Sequence, residues 1–136
     1  MCKLGDIIVV KEFKNEVGNI VKKHSFIVIN DMKNKISGMN YDFVSNMICS
    51  FHSEEHKKRK LRHKENLAVT DSVIYSNNSN KKDGFIKADQ MYYFDKSKID
   101  YYIFGHIDYE LLDELLRLIL LLDRERKLKY ITTNIE

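Results

Sequence analysis

The grouping of apolar residues most narrows what this chain can fold into: short runs rich in Ile, Val and Phe, separated by turn-forming residues, with sustained helical spacing only near the end. Residues 6–13 and 25–29 form the first two runs. Between them, residues 14–23 carry Asn15, Gly18 and Asn19, which favour irregular backbone. A third run, 41–51, follows a turn-like segment at 30–40, and residues 67–75 supply a fourth. The fifth, 85–94, follows a polar connection at 76–84. Residues 101–106 are either one more pairing segment or a short connecting piece.

One helix is expected after these strands. Asp108 suits an N-cap, Glu110 and Asp113 complement the positive end of the helix dipole, and Arg124, Arg126 and Lys127 complement the negative end. Leu111, Leu115, Leu118 and Leu122 recur at helical spacing, and Leu112, Leu116 and Ile119 widen the stripe beyond what one small barrel covers. Part of that stripe is available to a second subunit. The pattern predicts a mainly β fold with a C-terminal helix.

A length of 136 residues fits one domain, assigned to 1–126, with a polar tail at 127–136 that either frays or adds an edge strand. Cys2 and Cys49 are too few for a disulfide framework, so a reducing, cytoplasmic setting is expected. The apolar stretch from Ile7 to Val10 is bracketed by Asp6 and Lys11 and reads as a strand rather than a signal. The densest apolar run, 115–122, contains Arg117 and falls far short of the roughly 20 residues of a membrane span. No membrane association is expected.

The formal net charge of +3 says little by itself about nucleic acid, but its distribution is uneven. Within residues 52–66, Lys57, Lys58, Arg59, Lys60, Arg62 and Lys64 face only Glu54, Glu55 and Glu65. Lys, Arg and Glu favour a helix there, yet Leu61 is the one substantial hydrophobe, and the segment reads as an exposed loop. Composition alone makes it a solvated charged loop. The step from His52 to His56 lacks a third ligand at sensible spacing, so no metal is expected.

Certain motifs go further. Gly5-Asp6-Ile7-Ile8-Val9-Val10, the stretch KHSFIVIND at 23–31, the stretch FIKADQMYYFDK at 85–96, and Gly105-His106-Ile107-Asp108 before the leucine-rich helix occur in order. Together they resemble the MazF/PemK toxins of the Kid/CcdB superfamily, the toxin halves of type II toxin–antitoxin systems, over roughly residues 5–122. The resemblance implies an SH3-like barrel of five to seven strands with a C-terminal helix. It also implies cleavage of single-stranded RNA without metal or cofactor, a homodimer, and a cognate antitoxin protein. The chain departs from the family at two arginines, which stand here as Lys23 and Lys87. Lysine keeps the charge and loses the planar, bidentate donor fork.

Such chemistry must take a proton from the 2′-hydroxyl, stabilise phosphoryl charge and protonate the departing 5′-oxygen. On the resemblance, Lys23 at the entry to the second strand and Lys87 in the fifth supply positive charge. Asp89, two residues after Lys87 and expected on the same side of its strand, accepts the proton. Cys49 aligns with a family threonine, and Ser50 is the hydroxyl candidate if the alignment slips by one. His24 is a further acid/base candidate. Lys22, His52, Lys57, Lys58, Arg59, Lys60, Arg62 and Gln90 are the candidates for RNA contacts. Two other readings stay open: a catalytically silent RNA- or protein-binding module of the same fold, and a relative that poisons DNA gyrase.

Overall fold

The structure is a computed structural model, and it describes residues 3–30, 43–76 and 83–135. Cys2, the expected turn at 30–40 after its first residue, and most of the polar connection at 76–84 lie outside the described residues. The fold is mainly β, with nine strands in one sheet among the described residues. The first three are β1 (Asp6–Lys14), β2 (Ile20–Asn30) and β3 (Phe43–Ser50). After α1 (Glu54–Leu61) come β4 (Asn66–Val69), β5 (Ile74–Tyr75), β6 (Gly84–Lys87), β7 (Gln90–Phe94) and β8 (Tyr101–Ile107), then α2 (Tyr109–Arg124) and β9 (Lys129–Ile131).

The hydrogen-bonded order is β4-β6-β3-β2-β1-β8-β5. Its two ends, β4 and β5, are joined directly through a 3-10 turn at Asp71–Val73, so the sheet curls until its edges become neighbours in sequence. This is a barrel plus helix, as the sequence predicts, with more strands than the five to seven expected. β7 lies off the path, pairing with β3 and, in parallel, with β9.

Two apolar clusters explain why Ile7, Ile8 and Val10 are all buried although a half-buried strand would alternate. Ile7 joins Ile27, Val44 and Ile86 beneath Leu111, Leu115, Ile119 and Leu122 of α2. Ile8 and Val10 project the other way into a cluster built on Phe13, Phe26, Phe43, Tyr92 and Phe94, where the Phe26 ring meets Phe13 at 5.0 Å and Phe94 at 5.1 Å, edge to face in both pairs. Each fully buried α2 leucine or isoleucine contributes up to about 1.5–3 kcal/mol. The exposed Arg117–Asp113 pair at 3.0 Å contributes only about 0.3–0.5 kcal/mol. Burial therefore holds α2 in place, and Asp108 caps it by accepting from the Glu110 amide.

Several segments differ from the sequence reading. The loop at 14–23 ends early because β2 begins at Ile20 and extends the hairpin with β1. The fourth run is split by the 3-10 turn, and the fifth is broken by a turn at Ala88 and Asp89. Residues 101–106 belong to a true strand, paired with β1 from Asp6↔His106 to Val10↔Tyr101. The basic segment is not a loop: Ser53 caps α1 by accepting from the His56 amide, with Glu54 and Glu55 in its first turn and Lys58, Arg59 and Lys60 in its last. Those charges match the dipole, and none of the helix residues is buried. No helix among the described residues is long and apolar enough to cross a membrane.

The tail is fastened at both ends. Lys129 donates its amide to the Asp89 carbonyl at 2.7 Å. Buried Asn134 accepts from the Lys14 amide at 2.7 Å and donates to the Lys14 carbonyl at 2.9 Å. Replacing Asn134 with Ala leaves both backbone groups without these partners. We expect Asn134→Ala to lower the unfolding free energy by about 1–3 kcal/mol, read from urea denaturation. An unchanged midpoint would show that the tail adds no stability.

Candidate functional site

A cleft opens where β2 and β3 part. Their ladder ends at Ser25↔Ile48. Beyond that point β2 continues only with β1, through His24↔Val10 and on to Ile20↔Lys14, while β3 continues with β6 through Ser50↔Gly84. Gly84 permits that close pairing, since a Cβ there would run into the Cys49 carbonyl. The resulting cleft has a volume of about 800 Å³. Ile7, Val9 and Ile48 contribute apolar lining, and Tyr102 and Phe104 of β8 join them.

The fork decides which side chains face one another. Extending the register past Ser25↔Ile48 sets His24 against Cys49 and Lys23 against Ser50. Because successive strand residues project to opposite sides, these are two distinct pairs on the two sides of β2. The distance agrees: Cys49 Sγ lies 4.0 Å from His24 Nε2. Lys87 belongs to the His24 side, two residues beyond Phe85, which pairs with Cys49. Lys60 enters from α1, and His52 and His56 approach from its N-terminal turn with ring centroids 4.5 Å apart.

The charge of this cleft is one-sided. Lys23, Lys60 and Lys87 line it with His24, His52 and His56, and no carboxylate lines it among the described residues. None of the three lysines forms an ion pair within the described residues. Burial, and then the neighbouring Lys87 ammonium, hold the His24 imidazole below its ordinary pKa. At neutral pH His24 is therefore neutral and able to accept a proton. Burial pushes the Cys49 thiol up, against the opposing influence of Lys87 and Lys60. Cys49 is a protonated thiol rather than a nucleophile.

Of the residues singled out by sequence, the cleft gathers Lys23, His24, Cys49, Ser50, His52, Lys60 and Lys87. It does not gather Asp89. The expectation that Asp89 shares a strand face with Lys87 fails because the turn at Ala88 and Asp89 interrupts the alternation. Burial raises the Asp89 carboxyl pKa; Glu65 adds to the rise, and Lys129 and Lys87 oppose it. Gln90 sits opposite Lys129 at the start of β7.

The outlying basic candidates are also placed. Lys22 pairs with Glu12 at 2.7 Å on the exposed hairpin. Lys57 rests over the Phe51 ring, 5.6 Å from its centroid. Lys58, Arg59 and Arg62 are exposed on or beside α1 and do not line the cleft.

Sequence reasoning missed Tyr102 and Phe104 as cleft residues, because only the pairing of β8 with β1 brings them there. It also missed His56, whose position depends on α1 being a helix. Comparison with protein-family models found no matching family, and comparison with curated proteins found no matching sequence.

The His24 shift has a stability consequence with a definite sign. In the unfolded chain His24 protonates near the ordinary value of about 6.5, and in the folded chain only at lower pH. Between those values the unfolded state binds more protons, so this contribution is fully present above about pH 6.5 and is lost as pH falls toward the folded value. NMR titration of the imidazole is expected to give a midpoint below 6.5 in wild type. A midpoint at or above the ordinary value would contradict the buried, cation-flanked environment.

Proposed function

We propose that this chain is an endoribonuclease of the MazF/PemK type that cleaves single-stranded RNA without a metal ion, by attack of a 2′-hydroxyl on the adjacent phosphate. One observation carries the reading: among the described residues, three lysines without an ion-pair partner and a half-buried, neutral imidazole line a single cleft with no carboxylate in its lining. A polyanion is the ligand such a cleft favours, and a strand edge flanked by aromatic rings suits an unpaired nucleic acid better than a duplex.

His24 takes the proton of the 2′-hydroxyl as that oxygen bonds to phosphorus, and the bond from phosphorus to the 5′-oxygen breaks. Lys87, beside His24, stabilises the charge on the phosphoryl oxygens. Lys23 and Ser50 stand on the other side of β2, where the Lys23 ammonium donates a proton to the departing 5′-oxygen. The products are a 2′,3′-cyclic phosphate and a 5′-hydroxyl. His24 replaces Asp89 as proton acceptor in this account. A homodimer and an antitoxin that covers the cleft complete the proposed toxin system, in a cytoplasmic setting.

A second reading rests on the residue types themselves. Lysine stands at both positions where the family has arginine, and Cys49 offers a weak thiol donor in place of a hydroxyl, features that suit a module that binds RNA or protein without cutting.

Incubating the purified protein with a long unstructured RNA and a chelator separates these readings. The nuclease gives discrete fragments ending in cyclic phosphate. His24→Gln and Lys87→Ala each lose about 100-fold or more in kcat/KM. Asp89→Asn stays within about threefold of wild type, as expected of a charge outside the cleft. Retention of RNA without cleavage would establish the binding module, and loss of DNA supercoiling with intact RNA would indicate a gyrase poison.

A further inference from the structure

β3 pairs with β6 at Ile48↔Ile86 and with β7 at Ser45↔Tyr92. Between these points only Asn46 and Met47 lie on β3, against the five residues from Lys87 to Met91 on the facing chain. The extra residues form a bulge that begins at Lys87, one of the three lysines of the cleft.

Asn46 fills the inside of that bulge. Its side chain is fully buried, and Nδ2 lies 3.1 Å from the Lys87 carbonyl, 3.4 Å from that of Ala88 and 2.9 Å from that of Gln90. The orientation is forced, because a flipped amide would point its oxygen at three carbonyl oxygens. Asn46 Oδ1 has no hydrogen-bond partner among the described residues. The outer side of the bulge is held separately: Ala88 donates to the Glu65 carbonyl at 2.9 Å, and Lys129 donates to that of Asp89.

A buried amide that leaves its own acceptor unsatisfied while serving three carbonyls adds little net stability for its size. Its effect is on shape. It keeps the bulge open at the residue where the chain must leave the β3 ladder, which turns Lys87 toward His24 and Cys49 and leaves Asp89 outside. We propose that Asn46 is the positioning residue for Lys87, holding its ammonium in the cleft by clasping the backbone of the bulge from within. Its catalytic consequence rests on the ribonuclease reading; the placement of Lys87 does not.

The test uses the His24 imidazole as a local probe of the Lys87 charge. NMR titration of His24 is compared in wild type, Lys87→Met, Asn46→Ala, Asn46→Ser and the double variant Asn46→Ala/Lys87→Met, each shown to be folded by its amide spectrum. Removing the cation in Lys87→Met is expected to raise the midpoint by about 0.3 pH unit or more. Asn46→Ala raises it comparably, and the double variant moves no further than Lys87→Met alone. Asn46→Ser keeps one donor at the bulge, shifts the midpoint less, and carries the comparison if the alanine variant does not fold.

In RNA cleavage, Asn46→Ala is expected to lose about tenfold or more in kcat with KM within about twofold. A folded Asn46 variant whose His24 titrates as in wild type, while Lys87→Met is displaced, would overturn the proposal. So would a Lys87→Met protein with an unmoved His24. If wild type does not cut RNA, the ribonuclease reading falls, and the titrations still decide what positions Lys87.

Discussion

The parting of β2 from β3 after Ser25 and Ile48 is the constraint on which the rest of this molecule depends. It costs little in backbone hydrogen bonding, because each strand keeps a partner on its far side: β1 for β2 and β6 for β3. What the fork gives up is side-chain packing between two strands that would otherwise stay zipped. The gap that remains is a cleft whose walls are strands, and strands rooted in two apolar clusters are rigid supports for the side chains they carry.

Rigidity matters because the cleft concentrates like charge. A chain of nearly balanced composition places Lys23, Lys60 and Lys87 around one space and keeps every carboxylate out of its lining. Such an arrangement opposes itself when empty and is relieved by an anion. His24 records the strain most directly, since burial and the Lys87 charge both disfavour its protonated form. At neutral pH the imidazole is therefore held in its unprotonated form.

Much of the fold was legible because it rests on short-range patterns. Strand runs, the Asp108 cap and the leucine stripe of α2 are encoded within a few residues of one another, and the structure follows them. The departures arise where distant contacts override local pattern. Residues 101–106 pair as a strand with β1, and the break at Ala88 and Asp89 is filled by Asn46, far away in sequence. The α1 helix is hard to read for a different reason: none of its residues is buried, so no apolar stripe announces it.

The candidate site was half legible. Motif resemblance points to Lys23, Ser50 and Lys87, and the chemistry of histidine to His24, yet which of them face one another depends on register and on the two-sided alternation of β2. Strand alternation alone puts Asp89 on the face of Lys87, and the turn at Ala88 and Asp89 removes it from that face. The most direct measurement of the central claim is NMR mapping of a single-stranded RNA analogue whose 2′-hydroxyls are blocked against cleavage. Amide shifts concentrated at Lys23, His24, Cys49, Ser50 and Lys87, with Gln90 and the α2 stripe unmoved, are the result this account predicts. Binding that leaves the fork residues unperturbed and moves another face of the barrel would contradict it.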